Sequence, residues 1–416
     1  MLIEILLFLF LGIIFGTFTG LIPGIHINLV GITLISLASS LLVFIHPIYF
    51  VVFITAMAIT HTFVDFIPSI FLGCPDTDTE LSILPGHDLL KKGQGYEAIC
   101  LTTFGSLAAI FVLILIAWPS IFLLNKFYNL LKILIPGLLI LVSFFLISSE
   151  KKMKKAFIAF MLTGFLGIIL LTLDLGVKEP LLPLLTGLFG GSMLIISIRD
   201  KIKIPEQKIT RSKPKLFKPL LGAIIASPLC SFLPGLGSGQ AAIIGDSVSK
   251  SLGNRIESAT RSGISKTDEK SDKRDFLVLL GATNTLVMGF SFIALYAIAR
   301  TRTGATVAVK ELLGNLTPHI LILILFVILI SGLISFFLTL KLAKFFSQKI
   351  GNLNYTLLSE LTLLVLVIIV FLVSGFLGVF VLAASTATGI YCISLGVRRT
   401  NMMGCLLLPV IILYLI

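Results

Sequence analysis

Phe232-Leu-Pro-Gly-Leu-Gly-Ser-Gly-Gln240 is the stretch on which the reading of this chain turns. It falls where an apolar run would otherwise continue as a membrane helix, yet it sets one proline and three glycines within nine residues. Proline removes a backbone donor and glycine opens positive φ, so the helix breaks here. Inside a bilayer the freed amides and carbonyls need protein, water or a ligand as partner. The same break stands earlier, at Gly20-Leu-Ile-Pro-Gly-Ile25.

The surrounding composition places both breaks in a membrane. The 416 residues are 57% hydrophobic and 12% charged, with a mean hydropathy of +1.10, whereas a soluble domain carries about 25% charged residues. Apolar runs of spanning length recur from Leu2–Leu21 onward, among them Ala98–Leu124, Leu130–Ser148, Leu357–Leu372 and Phe376–Leu395. They predict an all-α, polytopic, multi-pass cell-membrane protein of about 10–13 helical segments. Glu4, the lack of a preceding basic residue and the lack of a small-residue cleavage pattern make the first segment a retained helix.

The net charge of +12 does not point to nucleic acid, because the basic residues fall between apolar runs. Residues 199–218 hold eight basic residues, two acidic residues and two prolines, and with Lys151–Lys155 they are assigned to the cytoplasm. Five scattered cysteines without a CxxC spacing give neither a disulfide framework nor a zinc site.

Pro23-Gly24 and Pro234-Gly235 lie 211 residues apart, and Gly164-Phe-Leu-Gly167 recurs 211 residues on as Gly375-Phe-Leu-Gly378. Between them Thr60-His61-Thr62-Phe63-Val64 is echoed by Thr283-Asn284-Thr285-Leu286-Val287, and Asp76-Thr77-Asp78-Thr79 by Arg300-Thr301-Arg302-Thr303. The common order and near-common offset predict a duplicated chain: transmembrane repeats over 1–198 and 219–416, joined by the basic linker 199–218. Duplicated transporters hold substrate near the midplane, at discontinuous helices between the repeats. Similar basic loops at Lys151–Lys155 and Lys341–Lys349 favour parallel repeats, while inverted repeats are common in this class, and both orientations stay open.

Polar residues cluster at the breaks. His26 and Asn28 follow the first, and Gly237, Ser238 and Gln240 belong to the second, where a half-helix over Gln240–Val248 would offer amides to an anion. His26 reads either as a ligand or proton-handling group or as a hydrogen-bonded structural residue. His61 and Asp65 share a helix face, and an intramembrane carboxylate needs a partner or water. Asp65 is thus either a coupling-ion ligand or a charge near the interface. Asp76, Thr77 and Asp78 offer oxygen to sodium or a proton, while Arg300 and Arg302 suit a carboxylate or phosphate. The other reading of these two loops is a solvated salt bridge between the halves. No GxSxG, HExxH or P-loop lysine is present, so neither enzyme chemistry nor ATP-driven transport is expected.

Ile67-Pro-Ser-Ile-Phe-Leu-Gly-Cys-Pro-Asp-Thr77 and Leu84-Pro-Gly-His-Asp-Leu-Leu-Lys-Lys-Gly-Gln-Gly95, with Leu21-Ile-Pro-Gly24 and Phe232-Leu-Pro-Gly-Leu-Gly237, resemble the large membrane subunit of the tripartite tricarboxylate transporters. Lys91-Lys-Gly-Gln94 is the most specific part. The short chain and Ala299-Arg-Thr-Arg-Thr-Gly304, where the family has a second Pro-Gly turn, resemble its divergent archaeal-type branch. The resemblance implies an ion-gradient-driven permease for di- or tricarboxylates, without a cofactor beyond Na+ or H+ coupling. It also implies a small membrane subunit and an external binding protein as partners.

Leu233-Pro-Gly-Leu-Gly-Ser-Gly239 is more weakly similar to polyprenyl-phosphate translocases, in which Arg300 and Arg302 would hold a lipid phosphate. The substrate site expected from the residues comprises Pro23, Gly24, His26, Asn28, Pro234, Gly235, Gly237, Ser238, Gln240, Arg300 and Arg302. The coupling-ion set is Asp65, Asp76, Thr77 and Asp78. The alternatives to an organic-anion permease are a lipid-phosphate translocase and a membrane scaffold without a transport cycle.

Overall fold

A computed structural model describes residues 2–22, 46–73, 79–148, 150–173, 176–177, 179–200, 204–232, 237–260, 269–351 and 354–415. Among these residues every regular element is a helix, without strands, and 204–216 is irregular chain. Among the described residues eight helical stretches are long and apolar enough to cross a membrane, and three shorter apolar ones accompany them.

Helix α1 (Leu2–Leu21) ends just short of Pro23. Helix α2 (Pro47–Val64) starts with proline at its first position, where the missing N–H costs nothing, and with His46 Nδ1 accepting from the Ile48 amide. It turns at Asp65 into α3 (Phe66–Leu72), because Pro68 has no N–H to give the Val64 carbonyl. Then come α4 (Ile83–Leu90), α5 (Gly95–Ser148) and α6 (Met153–Thr172). Helix α7 (Leu181–Leu185) runs through a π-turn at Thr186–Gly191 into α8 (Ser192–Arg199).

Past the linker stand α9 (Phe217–Phe232), α10 (Ser238–Thr260), α11 (Glu269–Ile298), α12 (Gly304–Leu313), α13 (Pro318–Ile350), α14 (Tyr355–Ser394) and α15 (Gly404–Leu415).

The runs Ala98–Leu124 and Leu130–Ser148 are joined in one continuous helix, α5, with Pro119 and Pro136 in its interior, while its apolar stretches Gly95–Tyr128 and Pro136–Ser148 stay separate as the two runs did. Two sequence readings change. The half-helix expected over Gln240–Val248 extends as α10 to Thr260. The two copies of Gly-Phe-Leu-Gly also differ in role. Gly164 and Gly167 let α6 approach α15, while Gly375, at φ 74° and ψ −170°, interrupts α14 where two runs were expected.

Lipid is as apolar as leucine, so helices in a bilayer associate through close packing and hydrogen bonds. Gly12, Gly16 and Gly20 bring α1 onto α2: a Cβ at Gly20 would stand 2.9 Å from Val64 Cβ and 3.2 Å from the Asp65 nitrogen. Helix α5 runs beside α11, and α13 beside α2, where Ser335 Oγ donates to Thr60 Oγ1 at 2.9 Å. Helix α6 packs on α15, and α14 on the segment 181–199.

The linker is a strap. Over residues 204–216 it lies against the turn between α4 and α5, where Lys208 N–H donates to Gly93 O (2.8 Å) and Gly95 N–H donates to Gln207 Oε1 (2.8 Å). Gln207 Nε2 donates to Leu90 O (3.1 Å), and Arg211 Nε and Nη2 donate to the Tyr96 hydroxyl at 2.9 and 2.7 Å. Lys273 pairs with Asp88 (2.7 Å), and Arg274 grips Glu97 with two hydrogen bonds (2.8 and 3.1 Å). Gly351, at the end of α13, lies beside Glu206 of the same strap. One polar face therefore gathers the start of α5, the start of α11 and the end of α13.

Gly93 sits at φ +74°, and a Cβ there would stand 2.8 Å from Glu206 O. Gly93→Ala is expected to cost about 1–2 kcal/mol, from the left-handed backbone alone, read as a lower thermal midpoint of the purified protein.

His87 in α4 is buried at the same face. Burial pushes its imidazole down to about 3, with the Lys91 and Arg399 charges adding to the shift and Asp88 opposing it. The folded protein holds the neutral ring, whereas the unfolded chain titrates near the ordinary 6.5. The stability from this group is complete above that value and is lost as pH falls toward about 3. The slope is about 1.4 kcal/mol per pH unit below 6.5. Thermal unfolding between about pH 7 and pH 5 should show this slope, and His87→Gln should flatten it.

Candidate functional site

Helices α2 and α11 cross where the two echoing threonine segments meet. Thr62 Oγ1 and Thr285 Oγ1 stand 3.3 Å apart, close to the middle of the apolar stretches Pro47–Leu72 and Lys273–Ile298. Asn284 Nδ2 donates to Asp65 Oδ2 at 2.9 Å and reaches Thr62 O at 3.3 Å. Asp65 and Asn284 are 3% exposed and Thr285 is fully buried, so the carboxylate sits inside protein. A second carbonyl is available because Pro68 leaves Val64 O without its helical amide. Below the turn, Ser69 Oγ donates to Asp65 O at 2.8 Å and contacts Thr79 Oγ1 at 2.6 Å.

The end of helix α1 packs against this place. Its last turn carries Gly20 onto the Asp65 backbone, and Thr19 Oγ1 meets His61 Nδ1 at 3.1 Å. His61 and Asp65 share a face of α2, as their spacing predicts, and reach α1 and α11 respectively. The result is a buried group of oxygen atoms, one carboxylate with hydroxyls and carbonyls, steadied by one amide. Such a donor set suits a hard monovalent cation or a proton.

At the second break α10 begins with Ser238, and Gln240 Oε1 accepts from the Gly237 amide at 2.6 Å, capping the helix start. Arg302 is half-buried and donates its backbone N–H to Thr306 Oγ1 at 3.3 Å, and its charge reaches Cys230 near the end of α9. Arg300 is exposed. Thr303 forms a capping box with Thr306 at the start of α12, so one threonine of the Arg-Thr-Arg-Thr segment is a helix cap.

Pro23, Gly24, His26, Asn28, Asp76, Thr77, Asp78, Pro234 and Gly235 lie outside the described residues. Sequence reasoning singled out Asp65 but not Asn284 as its partner, although the threonine echo contained that residue. Nothing in the sequence marked Thr19.

The description "Tripartite tricarboxylate transporter TctA family" matches residues 6–404, both breaks and the polar crossing included. The chain belongs to the TctA family. It is therefore a multi-pass membrane component of a transporter, the large subunit in assemblies that work with other subunits and a binding protein. An uncharacterized protein of Methanocaldococcus jannaschii is 32% identical over 422 residues, covering 99% of each chain. No solved structure matches. In this TctA-family chain the specific Lys91-Lys-Gly-Gln94 motif forms the turn that the strap grips.

Proposed function

We propose that this chain is an ion-coupled permease for an organic anion such as a di- or tricarboxylate, with substrate held between the two Pro-Gly breaks and Asp65 taking the coupling Na+ or H+. The observation that carries the reading is the Asp65–Asn284 pair at the crossing of α2 and α11, a buried carboxylate beside the end of α1. An intramembrane carboxylate on a broken-helix site is costly unless it has work to do. Arg302, half-buried, and Arg300, exposed, complement an anionic substrate.

The halves are read as inverted repeats. Helix α5 begins at the strap face, while its counterpart α13 ends there. Helix α3 brings the α2 segment toward that face, where a Cβ on Gly73 would stand 2.9 Å from His87 Nε2, while α11 starts from it at Lys273. Equivalent helices running oppositely about a shared crossing fit a two-fold axis in the membrane plane. The exchange of α6 onto α15 and α14 onto 181–199 supports the same axis.

Thermal unfolding of the purified protein discriminates the readings. Citrate at about a hundred times its Kd should stabilise by ~2.7 kcal/mol, and polyprenyl phosphate should not. Stabilisation by polyprenyl phosphate alone would favour a lipid-phosphate translocase, and stabilisation by neither a scaffold. Replacing Arg300 and Arg302 by glutamine should weaken the citrate response, and an unchanged response would remove them from the site.

A further inference from the structure

Apart from the crossing of α2 and α11, the short turn Arg399–Met403 sets a buried cation against α8 with no carboxylate paired to it among the described residues. Arg399 is 9% exposed, and its Nη1 has no hydrogen-bond partner while Nη2 abuts Met193 Sδ. Among the described residues no carboxylate pairs with it. Glu150, which accepts from Arg398 and from Asn401 Nδ2, is already engaged.

Two more buried polar atoms have no hydrogen-bond partner, His87 Nε2 and Ser197 Oγ. His87 Nε2 is directed at Gly73, and its ring is near enough to feel the Arg399 charge. Ser197 Oγ is one helical turn along α8 from Met193.

Arginine does not deprotonate in proteins, and a buried guanidinium without an anion is a severe electrostatic penalty. Its planar fork matches carboxylate and phosphate oxygens. The approach is basic as well, since Lys152 Nζ lies beside Gly396 and Arg398 precedes Arg399. We propose that Arg399, with His87 and Ser197, forms a second anion site that takes one oxyanion, a carboxylate or a phosphate. It shares no side chain with the midplane cluster and does not depend on what that cluster transports.

The test is thermal unfolding of the full chain in nanodiscs of neutral lipid, in oxyanion-free buffer, with citrate, inorganic phosphate and anionic phosphatidylglycerol as separate probes. Without a probe, Arg399→Gln should be at least as stable as the unaltered protein, because it removes an uncompensated charge. With a probe, the unaltered protein should rise above it. Arg399→Lys should respond with a half-saturating concentration at least about tenfold higher, since it keeps the charge but loses the fork. The difference between the unaltered protein and Arg399→Gln at one probe concentration is the response that belongs to this site, because any citrate held at the midplane stabilises both alike.

A response to citrate or phosphate identifies a free anion as the occupant, and a response to phosphatidylglycerol alone identifies a lipid headgroup. The proposal is overturned if no probe acts through Arg399, or if Arg399→Gln is destabilised equally with and without probes.

Discussion

Replacing Asp65 by asparagine should reduce ion-driven citrate uptake into proteoliposomes by at least about a hundredfold, the equivalent of ~2.7 kcal/mol. The amide keeps the shape of the carboxylate and can still meet Asn284, which now stands 2.9 Å from Oδ2. It lacks the charge that a Na+ would neutralise and the group that a proton would occupy. Folding should survive the change, because losing an intramembrane charge is neutral or favourable for insertion. The informative result is therefore loss of uptake with an unaltered unfolding midpoint. Uptake retained within about threefold, in a regime where a hundredfold loss is expected, would remove Asp65 from the coupling step. Thr285→Val offers a milder companion, since it deletes one hydroxyl from the same oxygen group and leaves the carboxylate in place.

Asp65 was legible in the sequence because a carboxylate between apolar residues has few structural uses. Asn284 was legible only as a member of an echo, since asparagine carries no charge to draw notice. What sequence could not supply was the crossing itself, which depends on how closely α1, α2, α5 and α11 approach. That approach is set by glycines whose neighbours come from distant segments, such as Gly20 at Asp65 and Gly281 at Thr102.

The strap was hidden for a different reason. Gln207 and Arg211 sit in a run of basic residues that topology alone explains, so their hydrogen bonds to Gly95 and Tyr96 left no mark on composition. Helix α5 runs against local reasoning as well. Pro119 and Pro136 stand inside it without ending it, because neighbouring helices in a membrane re-satisfy the backbone groups that an interior proline frees.

The interface of α5 with α11 is where the fold has least room, and Gly281→Val should show it with a loss of about 3 kcal/mol, near the upper end of ordinary overpacking costs. A Cβ on Gly281 would overlap the Thr102 carbonyl oxygen, and one on Gly105 would overlap the Val278 carbonyl oxygen. Both obstacles are backbone, so no rotamer change relieves them and the helices must separate.

Separation would stretch the bond from Ser106 Oγ to Gly281 O, now 2.9 Å, and the Arg274–Glu97 pair at the same interface. It would also carry Asn284, within one turn of Gly281, away from Asp65. Stability and uptake should therefore fall together. Gly137→Val is the matched control on α5, because a Cβ there meets nothing within 4 Å. Its midpoint should stay within about 0.5 kcal/mol of the unaltered protein, as for surface changes elsewhere. Equal midpoints for the two variants would mean that glycine contact does not set the α5–α11 approach, and the crossing that holds Asp65 would then need another cause.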